Sequence, residues 1–121
     1  MNLIFCCREH RDAYKFWLDA VDYPDTYHQA LFYTLSICPD TRSRIGNIYN
    51  LHEGMFEPSA LNAGWQTSSS RRVCLMAFNL FNGFTDPDDP QAATPYDLCC
   101  CNYAAYFLQA IRLRYPEYFH D

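Results

Sequence analysis

The sequence predicts an all-α protein, a compact bundle of about five helices around a central buried helix at about residues 68–82. Three observations lead there. Residues 67–84, TSSSRRVCLMAFNLFNGF, read as one complete helix that is apolar on nearly every side. Apolar residues recur at helical spacing in four further segments, each closed by proline or by turn residues. No alternating run is long enough to specify a strand.

The chain is expected to start extended over residues 2–7, with Leu3, Ile4 and Phe5 tucked into the core. A first helix from about Arg8 to Val21 places Ala13, Phe16, Trp17 and Ala20 on its inward face, and Tyr23-Pro24 ends it. Asp25 caps a second helix running to about Ile37, with Tyr27, Ala30, Leu31, Thr34, Leu35 and Cys38 inward, and Pro39 stops it. A third helix begins at Asp40 or Thr41 and carries Ile45, Ile48 and Tyr49 inward. The chain turns around Gly54, and Pro58 suits the first position of a short helical turn.

The fourth helix is the central one. Thr67 or Ser68 supplies its N-cap and Gly83 the residue past its end. Val73, Met76, Ala77, Leu80, Phe81 and Phe84 form one apolar stripe, while Cys74, Leu75 and Phe78 extend the apolar surface beyond it. Such a helix belongs inside a fold. The stretch FTDPDDPQAATP, with three prolines and three aspartates, reads as a surface loop. Thr94, Pro95 and Asp97 then open a fifth helix to about Tyr115, with Leu98, Cys101, Ala105, Leu108 and Ile111 inward, and Pro116 ends it.

At 121 residues and half apolar, the chain suits one domain spanning 1–121 with a core that needs no disulfide or metal. The formal net charge is −5, with one lysine, Lys15, against eight arginines. That balance disfavours direct nucleic-acid binding, because like charges repel and no counterions are released. It suits a protein partner with a basic surface. Seven cysteines, an odd number with three contiguous, read as reduced thiols in a cytoplasmic protein. The N-terminus lacks a basic leader, and no apolar run approaches the roughly 18 residues of a membrane span.

Two patterns are candidate binding sites. Ser68, Ser69, Ser70, Arg71 and Arg72 crowd the first turn of the fourth helix, where free N–H groups, hydroxyls and guanidinium groups can hold a phosphate or a carboxylate. The plainer reading is a hydroxyl cap with an arginine paired to a nearby aspartate. Asp19, Asp22 and Asp25, interleaved with Tyr23 and Tyr27, and Asp86, Asp88 and Asp89 in the loop form acidic clusters. They can occupy a basic channel, carboxylates standing in for phosphates, or serve as an ordinary solvated surface. Asn79 is expected to hydrogen-bond a loop backbone.

The chemistry of catalysis is hard to find. Cys6-Cys7-x-x-His10 is the nearest approach to metal-ligand spacing, and small buried hydrophobes are the plainer role for these cysteines. His10, His28, His52 and His120 are scattered. HExxH, GxSxG, Walker and dinucleotide motifs are missing. Neither a catalytic residue, a metal nor a cofactor is expected.

Four places carry a family resemblance: Phe5…Glu9-His10; Gln29-Ala30-Leu31-Phe32-Tyr33; Ile48-Tyr49 with the acidic turn and Leu61 after it; and Ser69-Ser70-Arg71…Ala77-Phe78-Asn79-Leu80-Phe81-Asn82-Gly83. With these the chain resembles a family of small bacterial proteins of unknown function, found largely in Firmicutes and often on mobile elements. The resemblance implies a helical fold, a bacterial origin and a mobile-element setting. By association it also implies an inhibitor of a host defence system, such as a CRISPR effector nuclease. The alternative is a small-ligand or nucleotide-phosphate binder using the start of the fourth helix.

Overall fold

The computed structural model describes residues 3–92 and 94–119, so the expectations for residue 2 and His120 fall outside it. Among the described residues the helices are α1 (Arg8–Asp19), α2 (Thr26–Leu35), α3 (Pro39–Arg42), α4 (Ile45–Ile48), α5 (Ser68–Asn82), α6 (Pro95–Cys99) and α7 (Ala104–Arg114). Single 3-10 turns cover Pro58–Asn62 and Pro116–Tyr118. The fold is all-α apart from one small hairpin, in which β1 (Tyr49–Asn50) pairs antiparallel with β2 (Met55–Phe56).

The central helix stands as the sequence predicts. Thr67 accepts the Ser70 backbone N–H, the Ser70 hydroxyl accepts the Thr67 N–H, and Gly83 closes the other end at φ 80°. Glycine reaches that left-handed conformation at little cost. From Val73 to Phe78 every residue of α5 is buried. Phe78 stacks on Phe56 with ring centres 3.9 Å apart. Asn79 donates to the Phe84 carbonyl, tying the helix end to the loop after it.

α5 shares the interior with α2, which packs against α1, α5 and α7. Ala30, Leu31, Phe32, Tyr33, Thr34 and Leu35 are all 0% exposed, so the second half of α2 has no outward face. Each large side chain buried there contributes about 1.5–3 kcal/mol. Thr34 meets its polar requirement by donating to the Ala30 carbonyl at 2.7 Å. Tyr27, expected inward, is half-exposed one turn earlier, under the Arg114 guanidinium. Arg114 also donates to the Leu80 carbonyl at 2.8 Å, which ties α7 to α5.

Three helices depart from their expected form. The inward face of α1 is centred on His10, Tyr14 and Trp17; Phe16 is 68% exposed and Ala20 is also outside. The stripe is rotated because the buried imidazole and phenol, not the alanines, make the contacts with α2. The third helix divides into α3 and α4 at Ser43-Arg44, where the Arg44 backbone leaves the helical conformation at φ −127° and ψ 19°. The fifth divides at Cys100–Tyr103, where the Cys101 thiol donates to the Leu98 carbonyl and Asn102 adds little helix propensity. That break resets the phase. Phe107, Ala110 and Leu113 are buried, while Ala105 and Leu108, expected inward, face out. In the N-terminal segment Leu3 and Phe5 pack on the core, but Ile4 is exposed.

Candidate functional site

The two acidic clusters named from the sequence meet different fates. The loop after α5 folds back over the first turn of that helix. Arg71 pairs with Asp86 and lies 3.7 Å from Asp89. Arg72 reaches Asp97 at 3.3 Å. The Asp88 backbone N–H donates to Asp86 at 3.0 Å, and with Arg71 it holds the Asp86 carboxyl below its ordinary range. Asp97 in turn holds the Arg72 guanidinium above its own. Asp88 is exposed on the loop tip. A pocket of about 170 Å³ opens here, lined by Ser68, Arg71, Arg72, Leu75, Asp89, Ala92 and Asp97. Ser70 is buried in the cap and donates to Gln66, and Ser69 stands half-buried beside it. Two guanidinium charges therefore face three carboxylates, and the pocket has no surplus of positive charge to offer an anion.

The other cluster frames a cleft of about 360 Å³ between the start of α2 and the β1–β2 hairpin. Asp22, Asp25 and Glu53 line it together with Tyr23, His28, Tyr49 and His52. Asp19 stands exposed on the last turn of α1 and is not part of the lining. Asp19, Asp22 and Glu53 make no ion pair with arginine or lysine among the described residues. Tyr23 is 84% exposed at the rim.

The wall of this cleft is a three-residue hydrogen-bonded chain. Asp25 caps α2 by accepting the His28 backbone N–H at 2.9 Å. The same carboxylate oxygen accepts from His28 Nδ1, also at 2.9 Å. A carboxylate only accepts, so Nδ1 carries the proton, and Nε2 accepts from the Tyr49 hydroxyl at 2.8 Å. Burial alone would raise the Asp25 carboxyl, but the His28 backbone N–H and imidazole outweigh it and hold the acid below its ordinary range. Burial, with the Asp25 charge nearby, pushes the Tyr49 phenol above its ordinary range. The hairpin turn is set by Gly54 at φ 70°, whose N–H donates to the Asn50 carbonyl, while the Asn50 side chain accepts the Glu53 N–H. Chemically, the chain fixes the imidazole in one tautomer and anchors β1 to the start of α2. Tyr49 is only 2% exposed, so it supports the cleft from behind.

The sequence missed His28, Tyr49, His52 and Glu53 as site residues. The signal for the first was present: Asp25 and His28, three apart at a helix start, are spaced for a cap that also holds an imidazole. Tyr49 could not be found in this way, because the hairpin that delivers it has strands of two residues each.

His10 lies elsewhere, beneath the N-terminal segment. Its Nδ1 accepts the Cys6 N–H at 3.1 Å, and its Nε2 donates to the Tyr33 carbonyl at 2.8 Å. Both ring nitrogens are thus committed. Among the described residues, no group of three or more His, Cys, Asp or Glu side chains is placed to hold a metal ion. No described helix is long and apolar enough to cross a membrane.

These elements define an all-α protein with an acidic, aromatic-rimmed cleft at the start of α2. The chain matches the model of a family of unknown function (DUF6075) over residues 1–121, and it belongs to that family. Comparison with curated proteins and with solved structures finds no match.

Proposed function

We propose that this protein acts by binding another macromolecule, a protein with a basic surface, through the cleft at the start of α2. One observation carries the reading: Asp22 and Glu53 converge there beside exposed Tyr23, and among the described residues neither pairs with an arginine or a lysine. The loop cluster is a weaker candidate, because Asp86 and Asp89 already face Arg71. Carboxylates presented with an aromatic ring suit arginine and lysine side chains, through ion pairs and through stacking on the ring. The family resemblance suggests a narrower version, a mobile-element-encoded inhibitor of a host defence nuclease. In that version the acidic cleft occupies a channel that otherwise holds nucleic acid. The alternative, a phosphate or nucleotide held by Ser68, Arg71 and Arg72, requires the ligand to displace Asp89 and Asp97 from the pocket.

Pull-down from a Gram-positive bacterial lysate tests the proposal, with wild type run beside the Asp22→Lys/Glu53→Lys double variant. A protein retained by wild type at low salt, lost at moderate salt and lost with the variant supports it. Equal retention by both proteins would overturn it. A nucleotide that copurifies with wild type and is lost on Arg72→Ala would favour the alternative.

A further inference from the structure

Two adjacent thiols at the start of α1 play no part in the proposed function. Cys6 and Cys7 are half-buried, with their sulfurs 3.6 Å apart. Arg42 donates to the Cys7 sulfur at 3.5 Å. Its guanidinium is fixed in that position by bonds to the Ser36 and Ile37 carbonyls at 2.8 and 2.9 Å. Cys7 is also the N-cap residue of the twelve-residue α1, with extended backbone and no side-chain cap bond. It therefore sits at the positive end of the helix dipole. Glu9, in the first turn of α1, is exposed.

The two thiols are not equivalent. Cys6 donates its proton to the Ile37 carbonyl at 3.5 Å. Burial, with Cys7 alongside, pushes the Cys6 thiol up to about 11. Cys7 instead faces a cation and a helix start while remaining accessible. Partial exposure beside an arginine at a helix N-terminus is the environment in which cysteines react. The other two thiols of the interior, Cys38 and Cys74, are buried.

We propose that Cys6 and Cys7 form a reversible dithiol switch for hydrogen peroxide, Cys7 being the attacking sulfur and Cys6 the resolving one. The Cys7 proton passes to solvent water, and the sulfur attacks one peroxide oxygen. The O–O bond breaks, and hydroxide leaves and takes up that proton as water. Cys7 is now a sulfenic acid. The Cys6 sulfur then attacks the Cys7 sulfur; the S–S bond forms, the S–O bond breaks, and hydroxide leaves with the Cys6 proton as a second water. In total two thiols give up two electrons and two protons, and one peroxide becomes two waters. Residues adjacent in sequence bridge only with distorted geometry, so the bond is strained and readily reduced. Closing it draws on the same short segment whose Cys6 N–H holds His10, so oxidation is transmitted to the start of α1.

The full-length protein is treated with hydrogen peroxide, its free thiols are alkylated, and trypsin then releases residues 1–8, which hold Cys6 and Cys7 and no other cysteine. Mass spectrometry is expected to show this peptide lighter by two hydrogens and unalkylated, with both changes reversed by a thiol reductant. Cys6→Ser should halt at a sulfenic acid on Cys7 that dimedone labels, whereas Cys7→Ser should leave Cys6 unlabelled. Arg42→Gln should slow Cys7 labelling roughly tenfold, the size of one lost charge-assisted hydrogen bond. Arg42→Lys, which keeps the charge, should retain most of the rate; circular dichroism checks that each variant folds. A fully alkylated peptide after treatment that oxidises exposed Cys99 and Cys100 overturns the proposal. So does a bridge from Cys6 or Cys7 to another cysteine, or dimedone on Cys6 in place of Cys7.

Discussion

Asp25 caps α2 and orients His28 with a single carboxylate oxygen. Asp25→Ala removes both bonds and is expected to cost about 1–2 kcal/mol, read as a lower urea midpoint at unchanged slope. Asp25→Asn keeps the cap, because an amide oxygen still accepts, and should recover most of that loss. His10 governs a pH dependence. Burial, helped by the Arg42 charge, lowers it to about 4 from an ordinary 6.5. Between those values the unfolded chain binds a proton that the folded one refuses. The stabilisation is therefore complete above about pH 6.5 and is lost as pH falls towards 4. The loss should reach roughly 2–3 kcal/mol after allowance for solvent screening. Urea titrations across that range check it, and His10→Gln should remove that part of the slope.

Among the elements, the divided fifth helix gives the sharpest test. Continuous helical phase puts Leu108 inward, whereas the break at Cys100–Tyr103 puts Phe107 there, 2% exposed, and leaves Leu108 49% exposed. Phe107→Ala is expected to cost about 3–5 kcal/mol, and Leu108→Ala less than about 1 kcal/mol. Thermal unfolding of the two variants separates these geometries. The central helix needed no such correction, because its cap, its apolar run and its terminal glycine all agree locally. α1 was harder to read. Its buried His10 and Tyr14 are amphipathic residues that periodicity scores as polar, so the apolar pattern alone puts the inward face one position round, towards Phe16 and Ala20. The hairpin was not legible at all, since two-residue strands carry no alternation.

Across the whole molecule, charge is distributed unevenly. The chain has few cations, and Arg71 and Arg72 are spent on Asp86 in the loop and Asp97 in α6. Asp86 and Arg71 tie the loop to α5, and a double-mutant cycle on Arg71→Ala and Asp86→Ala should give a favourable coupling that shrinks with added salt. The five residues named at the start of α5 and the loop aspartates were legible as separate candidates. An arginine paired with an aspartate is the plainer reading of that turn, but which aspartate meets Arg71, fifteen positions on and beyond the rest of α5, is set by the fold. Asp22 and Glu53, without an arginine or lysine partner among the described residues, are left together at the α2 cleft. An amide NMR titration with an arginine-rich peptide tests that most directly. Shift changes should gather at Asp22, Tyr23, His28 and Glu53 and fade as salt is raised to about 0.15 M. Changes centred on residues 86–89, or changes indifferent to salt, would contradict the account.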